Sequence, residues 1–506
     1  AVPTGQPGEP SGAVPTGQPG EPSGAVPTGQ PGEPSGAVPT GQPTVLLGPV
    51  APPPRPSRRK LLLGLAGGAV AAAGGGTALL VTRTSDRAKQ PRSAPGPQAA
   101  TPVADPTDYT RSLETDMEAT PLWTAPLAEP LIKVAGDGDT IVLAGMKSVW
   151  ALDRAGQPRW GPLTSYSAPA GVGSGDCPVA VGGGMAYVMG FAGPSDLKYV
   201  FNAVDLATGA VAWTLTRPDL RISRSASVVG LLDNIVYVHG EAWGSFPLSD
   251  PKTPTAATAS FVWAVDTATH QVRWQALHPL QPLDSTRLAV PSSGTRLLWE
   301  TYSLDLNTYK KAGKLEALDV NNGGKSLWQQ LAPGSGTLQT RLSVFNDGPH
   351  SSAAGYFLYL ADRLYAVNPA DGKVVWQSQG EWGVQAAVAS PDDTTVYTLG
   401  THYAERRTVV QAFDAKTGTV RWSGSLPMGL FQDTAVQYAD GTLYVWIHGK
   451  VWALDPATGA PRWTFGFHPG GGSSTPVPYW AGGGRLYGPT DKGLAAIAAD
   501  GRTAHS

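Results

Sequence analysis

Hydrophobic and polar residues alternate in short runs over most of the chain, and one such run returns seven times. Each copy starts with an alternating stretch such as "VWALD" (residues 149–153), continues through a polar turn, and ends at a tryptophan. Alternation with a period of two predicts half-buried β-strands, and the turn residues predict a tight connection between them. Each copy therefore predicts a β-hairpin. Its second strand carries the repeated tryptophan, at Trp160, Trp213, Trp274, Trp328, Trp376, Trp422 and Trp463.

The turn of each predicted hairpin begins with a residue whose side-chain oxygen can accept hydrogen bonds from backbone N–H groups. Three residues separate the tryptophan from a glycine, which supplies a left-handed backbone, except that His270 replaces the glycine in the third copy. The fourth copy has one extra turn residue, and Gly324 keeps the spacing to Trp328. The predicted turn-capping residues are Asp153, Asp205, Asp266, Asp319, Asn368, Asp414 and Asp455.

Successive tryptophans lie 53, 61, 54, 48, 46 and 41 residues apart. Another aliphatic and aromatic strand precedes each hairpin, and an apolar stretch follows each tryptophan, so that one unit holds about four strands. A small twisted sheet cannot bury both of its faces alone and must stack on its neighbours. The period therefore predicts an all-β fold, a β-propeller of four-stranded antiparallel blades over residues 120–506.

The two ends of this region predict an eighth blade. The C-terminal "GLAAIAADGRTAHS" (residues 493–506) is a decayed hairpin, and Trp123 stands alone in "PLWTAPL", 37 residues before Trp160. We expect residues from Leu122 to Ala125 to form the outermost strand beside Gly493 to Ala498, which would close the ring and add Trp123 to the docking tryptophans. A local hairpin formed by residues 502–506 is the alternative.

The sequence before residue 120 is different in kind. Residues 1–57 are rich in Pro, Gly, Gln and Ser, with "AVPTGQPGEPSG" repeated, and residues 83–119 are also polar and proline-rich. Such segments cannot bury enough apolar surface to fold, so we predict a disordered tail and a flexible linker. Between them, Leu61 to Thr82 are 22 residues without a charge. That length spans a bilayer as a helix, and "SRRKLLL" before it also resembles a twin-arginine export signal.

The basic cluster "RRK" (residues 58–60) directly before the apolar segment places the N-terminal side in the cytoplasm and the propeller outside. Localisation at the cell membrane as a single-pass protein follows from this interpretation. Secretion by a twin-arginine signal is the alternative.

The pattern Ala-x-Asp-x-x-x-Gly-x-x-x-Trp, with seven copies, resembles the tryptophan-docking repeat of pyrroloquinoline-quinone (PQQ)-type propellers. That family includes quinoprotein alcohol dehydrogenases and BamB-like assembly proteins. The resemblance implies that the repeated tryptophans pack between neighbouring blades and are structural. The order of a Pro-rich segment, an apolar helix and a propeller also resembles the C-terminal half of bacterial membrane serine/threonine kinases of the AfsK type.

Few features of the sequence predict a catalytic, metal or nucleic-acid-binding site. Net charge is −2 and no basic stripe is present, which argues against nucleic-acid binding. The single cysteine, Cys177, cannot form the vicinal disulfide that PQQ dehydrogenases carry, and the acidic residues at strand ends are explained by the turns. We therefore predict no catalytic residues, no cofactor and no metal site. His239 is interpreted as an ordinary strand-end residue.

The leading hypothesis is a non-catalytic, membrane-tethered propeller that senses a ligand or holds a protein partner on its rim. The candidate interface residues are Trp243, Trp299 and Trp382, which lie in the most individual loops; covering of blade edges is the alternative role for these rings. Two other functions stay open. The propeller is the sensor portion of a transmembrane kinase whose catalytic domain lies upstream of Ala1, or it is a PQQ-dependent dehydrogenase.

Overall fold

The computed structural model describes most of residues 109–502. The exceptions are residues 138, 164–178, 194–195, 217–220, 248–254, 282–283, 292–293, 306–309, 335–347, 354, 362, 380–382, 403–404, 406, 427–433, 448 and 468–478. The predicted tail (1–57), the apolar segment (61–82) and the first part of the predicted linker (83–108) lie outside the described residues. Among the described residues, none belongs to a helix with the length and hydropathy needed to cross a bilayer.

The described strands form eight antiparallel sheets of four strands each, so the predicted eight-bladed β-propeller is confirmed. The first strands of neighbouring blades contact one another around the ring, which places these strands at the centre. The fourth strand is the outermost, and it carries the repeated tryptophan. A 3-10 turn, Val320–Asn322, lies in the fourth blade.

Blades one to four use consecutive strands. Blade one contains β2 (Leu131–Asp137), β3 (Thr140–Gly145), β4 (Val149–Asp153) and β5 (Pro158–Leu163). Blade two contains β6 (Val179–Gly182), β7 (Met185–Gly193), β8 (Asp196–Asp205) and β9 (Val211–Thr216). Blade three contains β10 (Arg221–Leu232), β11 (Ile235–Pro247), β12 (Thr255–Asp266) and β13 (Gln271–Leu280). Blade four contains β14 (Asp284–Ala289), β15 (Arg296–Asp305), β16 (Lys310–Asp319) and β17 (Lys325–Leu331).

Blades five to seven follow the same order, and blade eight does not. Blade five contains β18 (Gly348–Ala353), β19 (Tyr356–Leu360), β20 (Leu364–Val367) and β21 (Val374–Gln377). Blade six contains β22 (Gly383–Ala389), β23 (Thr395–His402), β24 (Arg407–Asp414) and β25 (Val420–Leu426). Blade seven contains β26 (Thr434–Ala439), β27 (Thr442–Ile447), β28 (Lys450–Leu454) and β29 (Pro461–Gly466). Blade eight contains β30 (Trp480–Gly482), β31 (Arg485–Thr490), β32 (Gly493–Ala498) and β1 (Pro121–Ala125).

Blade eight is built from both ends of the propeller, as the sequence predicts. β1 pairs with β32 in antiparallel register, with Trp123 opposite Ala496 and Ala125 opposite Leu494. β31 occupies the other edge of β32, so neither edge is left for the alternative local hairpin. This pairing removes two open sheet edges and ties the first strand of the propeller to its last.

Residues 109–119, which we name the strap, differ from the flexible linker that the sequence predicts for 83–119. The strap runs along the outer edges of blades six and seven and forms parallel bridges from Ser112 to Ser425 and from Glu118 to Thr464. Between these bridges it buries Leu113, which is 0% exposed. Gly424 provides the space, because a Cβ there would lie 2.4 Å from the Leu113 side chain. Proline and polar composition obscured this apolar anchor.

The two faces of the propeller carry different connections between strands. The turn face carries the turns between first and second strands and between third and fourth strands, such as residues 205–211. The loop face carries the connections between second and third strands and between blades. The second and third strands are longest in blade three, with 13 residues in β11 and 12 in β12, against 6 in β27 and 5 in β28. The extra length extends the hairpin at the loop face.

Candidate functional site

The repeated tryptophans lie at the boundaries between blades. In seven of the eight, the indole Nε1 donates a hydrogen bond to a backbone carbonyl in the last turn of the next blade, at 2.8 to 3.1 Å. These donors are Trp123, Trp160, Trp274, Trp328, Trp376, Trp422 and Trp463. A buried indole needs such a partner, and the bond fixes each blade against its neighbour. The arrangement connects neighbouring blades of the ring.

Each of these indoles also covers the turn glycine of the next blade. Gly459 has a φ of 68°, and a Cβ there would lie 2.6 Å from the Trp422 ring. The glycine is therefore required twice, once for its left-handed backbone and once for the approach of the ring. The eighth blade keeps this feature, since Gly501 lies under Trp463 although the rest of its hairpin has decayed.

Trp213 is the exception, because the residue beneath it is His270. His270 keeps the left-handed backbone, with a φ of 61°, and its imidazole stacks on the indole at a centroid distance of 4.9 Å and an interplanar angle of 17°. Trp213 is half-buried and makes no hydrogen bond to a turn carbonyl within the described part of the chain. Ring stacking replaces the usual docking at the boundary between blades two and three.

The predicted turn-capping residues all accept hydrogen bonds from backbone N–H groups of their own turns, at 2.8 to 3.1 Å from Oδ1. The residues are Asp153, Asp205, Asp266, Asp319, Asn368, Asp414 and Asp455. The Arg421 guanidinium donates to Asp414 and, with the turn N–H groups, lowers the pKa of that carboxyl to about 2. These bonds show that the seven side chains cap their turns, as the sequence predicts.

The three candidate interface tryptophans differ in their surroundings. Trp243 is 54% exposed, whereas Trp299 is 3% exposed and packs in the core between blades three and four. The exposure that an interface anchor needs is therefore present at Trp243 and absent at Trp299. Trp382 lies outside the described residues.

The position of Trp243 explains its exposure. Alternation along β11 puts Trp243 on the same side as Tyr237 and His239. Tyr237 is 0% exposed, and the ring of His239 contacts Thr286 of blade four. Toward the loop-face end of β11, the side that is buried at Tyr237 is open at Trp243. The loop face therefore carries an uncovered indole on a strand whose lower half is packed.

A polar group lies beneath this hairpin, and the sequence analysis did not find it. His239 Nε2 lies 3.0 Å from the Thr286 hydroxyl and 3.2 Å from the Ser260 hydroxyl, and Thr286 donates to Ser260 at 2.8 Å. Burial lowers the pKa of His239 to about 4, so the imidazole is neutral at physiological pH. Ser260 is 0% exposed and cannot meet a substrate. The group holds blades three and four together below the long hairpin.

A second buried polar contact lies at the next boundary. The hydroxyl of Tyr359 in blade five donates to the Glu300 carboxylate of blade four at 2.6 Å, and Glu300 is 0% exposed. Within the described residues, no group of three or more His, Cys, Asp or Glu side chains is placed to hold a metal ion. Cys177 lies outside those residues.

Comparison with protein-family models supports the repeat type of the C-terminal blades. A family model described as the outer membrane protein assembly factor BamB matches residues 311–463 and 405–506. The quinohemoprotein alcohol dehydrogenase from Comamonas testosteroni is 13% identical, with a TM-score of 0.41, over 79% of this chain and 80% of that chain. The Dos1 propeller is 10% identical, with a TM-score of 0.46, over 77% of this chain and 97% of that chain. No curated protein sequence matches this chain.

Proposed function

We propose that this chain is a non-catalytic binding propeller that engages a protein partner through the loop face of blade three. The exposed indole of Trp243 on the extended β11–β12 hairpin carries the proposal. Tryptophan is enriched among the residues that dominate binding energy at protein interfaces, because a large rigid ring loses little conformational entropy when it is covered. A partner that covers this ring would bury apolar surface that the propeller leaves exposed to water.

The base of the hairpin suits this role because it is rigid. His239, Ser260 and Thr286 form a closed set of hydrogen bonds between blades three and four, and the strands below are buried. A binding residue that is held by a fixed scaffold loses less entropy on association than one on a free loop. Trp243 is therefore presented in one orientation relative to the ring.

The proposal includes a tether. Leu61 to Thr82 would cross the membrane as a single helix, with the propeller on the extracytoplasmic side. The support is the sequence alone: a long uncharged stretch preceded by Arg58, Arg59 and Lys60. The alternative, in which the propeller is the sensor portion of a transmembrane kinase, uses the same tether and stays a prediction.

A photo-crosslinking amino acid at position 243 tests the binding role. The matched control is position 211, because Val211 is 44% exposed on the outermost strand of blade two. In intact cells, a discrete crosslinked product is expected from position 243 and not from 211. Trp243→Ala should weaken capture of the identified partner by roughly 30-fold, as for an interface residue worth about 2 kcal/mol. Equal labelling from both positions would contradict the proposal.

A further inference from the structure

The turn face holds a cavity of about 330 Å³ between blades four and five, reached also by a turn of blade six. Its apolar walls come from Pro291 of blade four and from Tyr356, Phe357 and Pro369 of blade five. Small-molecule sites in proteins are concave, mostly apolar and range upward from about 300 Å³. The cavity is thus large enough for one small molecule.

Two opposite charges line the same cavity. Arg296 begins β15 and is half-buried, and Asp393 lies in the turn between β22 and β23 with a φ of 57°. Neither side chain makes a hydrogen bond or an ion pair with any residue that the structure describes, although the two share one space. Charged groups that are partly removed from water are stabilised by a partner of opposite charge. A ligand that carries both charges would satisfy both groups.

An equivalent cavity on the same face shows the alternative outcome. A space of about 470 Å³ lies between blades six and seven, and its arginine is Arg421. That guanidinium donates to the Asp414 carboxylate at 2.9 Å and to the Thr395 hydroxyl at 2.7 Å. The chain itself neutralises the arginine there. In the cavity between blades four and five, by contrast, no described residue forms a hydrogen bond or an ion pair with the Arg296 side chain.

We propose that the cavity between blades four and five binds a free α-amino acid with an apolar side chain. Arg296 receives the carboxylate, since a guanidinium can donate two parallel hydrogen bonds to it. Asp393 receives the ammonium group. The apolar lining residues Pro291, Tyr356, Phe357 and Pro369 contact the side chain of the ligand. A simple anion would face Asp393 and a simple cation would face Arg296, so the zwitterion fits both charges best.

This site is independent of the protein-binding surface. Arg296 is the first residue of β15, at the turn face, whereas Trp243 lies toward the other end of its strand, at the loop face. The two ligands would therefore bind at opposite ends of the ring. Trp243→Ala should leave amino-acid binding unchanged, so failure of one proposal is separable from failure of the other.

Isothermal titration calorimetry of the purified full chain with L-phenylalanine tests the proposal. The matched ligands are N-acetyl-L-phenylalanine, which lacks the ammonium, phenethylamine, which lacks the carboxylate, and the dipeptide Phe-Gly, whose charges lie farther apart. L-Phenylalanine is expected to bind, and each of the other three should bind at least roughly tenfold more weakly, because one charge pairing is lost or misplaced. Glycine, without an apolar side chain, should also bind more weakly.

Two variants locate the binding. Arg296→Gln and Asp393→Asn should each weaken the binding of L-phenylalanine at least roughly tenfold. Asparagine tolerates the left-handed backbone at 393, so the second change keeps the turn. Arg421→Gln in the neighbouring cavity is the control and should leave the affinity unchanged. Absence of binding heat with any apolar amino acid would overturn the proposal, as would equal affinity for N-acetyl-L-phenylalanine or unchanged binding in both variants.

Discussion

Blade three is built from the same repeat as blades six and seven. The rest of the chain covers blades six and seven, but it leaves part of blade three open. The strap covers the outer edges of blades six and seven, and their turn acids are paired with Arg421 and Arg462. Blade three instead has the longest middle strands and leaves Trp243 open. The chain itself covers the outer edges of blades six and seven, whereas blade three leaves an indole uncovered.

The comparison separates what the repeat must keep from what it can vary. The turn face holds the tryptophan, its glycine and the capping acid, and a change in any of them affects the contact with the next blade. The loop face carries no part of this contact, so its hairpins can change in length and composition at little cost. Binding surfaces on the loop face can therefore arise without loss of the ring.

The largest expected effect comes from removing a docking indole. Trp422 is 1% exposed between blades six and seven, so Trp422→Ala should lower the free energy of unfolding by about 3–5 kcal/mol. Trp213 is less completely buried on His270, so Trp213→Ala should cost less than Trp422→Ala. Urea unfolding followed by far-UV circular dichroism measures both. Equal losses would show that the stacked boundary is as tight as the docked one.

The next largest loss of stability is expected from replacing a turn glycine by alanine. Gly459→Ala should cost about 2–4 kcal/mol, because the left-handed backbone and the displaced Trp422 ring both contribute. Gly441 has a similar φ of 71°, but a Cβ there would meet nothing within 4 Å. Gly441→Ala should therefore cost only about 1 kcal/mol. His270→Gly should not destabilise the protein, since Trp213 could then dock as the other indoles do. The same unfolding experiment compares the three variants.

The strap can be tested through its buried leucine. Leu113→Ala should cost about 2 kcal/mol, at the low end for a buried leucine, because the strap can detach while the blades stay folded. The Leu113 and Ser425 amides, which donate across the bridge at 2.9 and 2.7 Å, should lose protection from hydrogen exchange. Met117 is 61% exposed, and Met117→Ala should change stability by no more than about 0.5 kcal/mol. If these amides stay protected in Leu113→Ala, contacts other than the Leu113 side chain hold the strap on the blades.

The smallest effect concerns the acid caps. The pKa of Asp414 is about 2 in the folded protein, below the value of about 3.9 for an unfolded chain. Its carboxylate therefore contributes stability that is fully present above pH 4 and is lost as the pH falls through about 2. Because the Arg421–Asp414 pair is partly exposed, Asp414→Asn should lower the free energy of unfolding by less than about 1 kcal/mol at pH 7. In this variant the free energy of unfolding should also fall less steeply as the pH drops from about 4 to about 2.

Asp319 of blade four is the counterpart. Leu327 occupies the position that Arg421 occupies in blade six, so the Asp319 cap has no arginine from its own hairpin. Asp319→Asn preserves an acceptor for the turn N–H groups and should change the stability less than Asp414→Asn does. An equal or larger loss at Asp319 would show that the Arg421–Asp414 ion pair adds nothing to the strength of the cap.

The regular part of the molecule could be predicted from the sequence. The spacing of tryptophan, glycine and acid gave the blades, the turn caps and the shared eighth blade, because each depends on residues close together in one hairpin. The pairing of β1 with β32 followed from an unpaired Trp123 at one end and a decayed hairpin at the other.

The rest depends on contacts between blades, which no local pattern reports. The strap rests on Leu113 filling the space above Gly424, two residues about 300 positions apart. The sequence predicts loops at both Trp299 and Trp243, but Trp299 lies near the start of β15 and is buried, whereas Trp243 lies near the loop-face end of β11 and is open. Arg296 and Asp393 belong to different blades, so their shared cavity could not be read from either segment.

The pairing of Trp123 with Ala496 also sets the order of events during synthesis. Among the described strands of the propeller, the ribosome makes β1 first and its sheet partner, β32, last. The two are separated by 373 residues, which take roughly 20 to 75 s to synthesise at 5–20 residues per second. During that interval the backbone N–H and C=O groups of β1 lack their strand partner, whereas the Trp123 indole can already bond to the Arg154 carbonyl of blade one. Completion of the ring therefore reports that the whole propeller has been made.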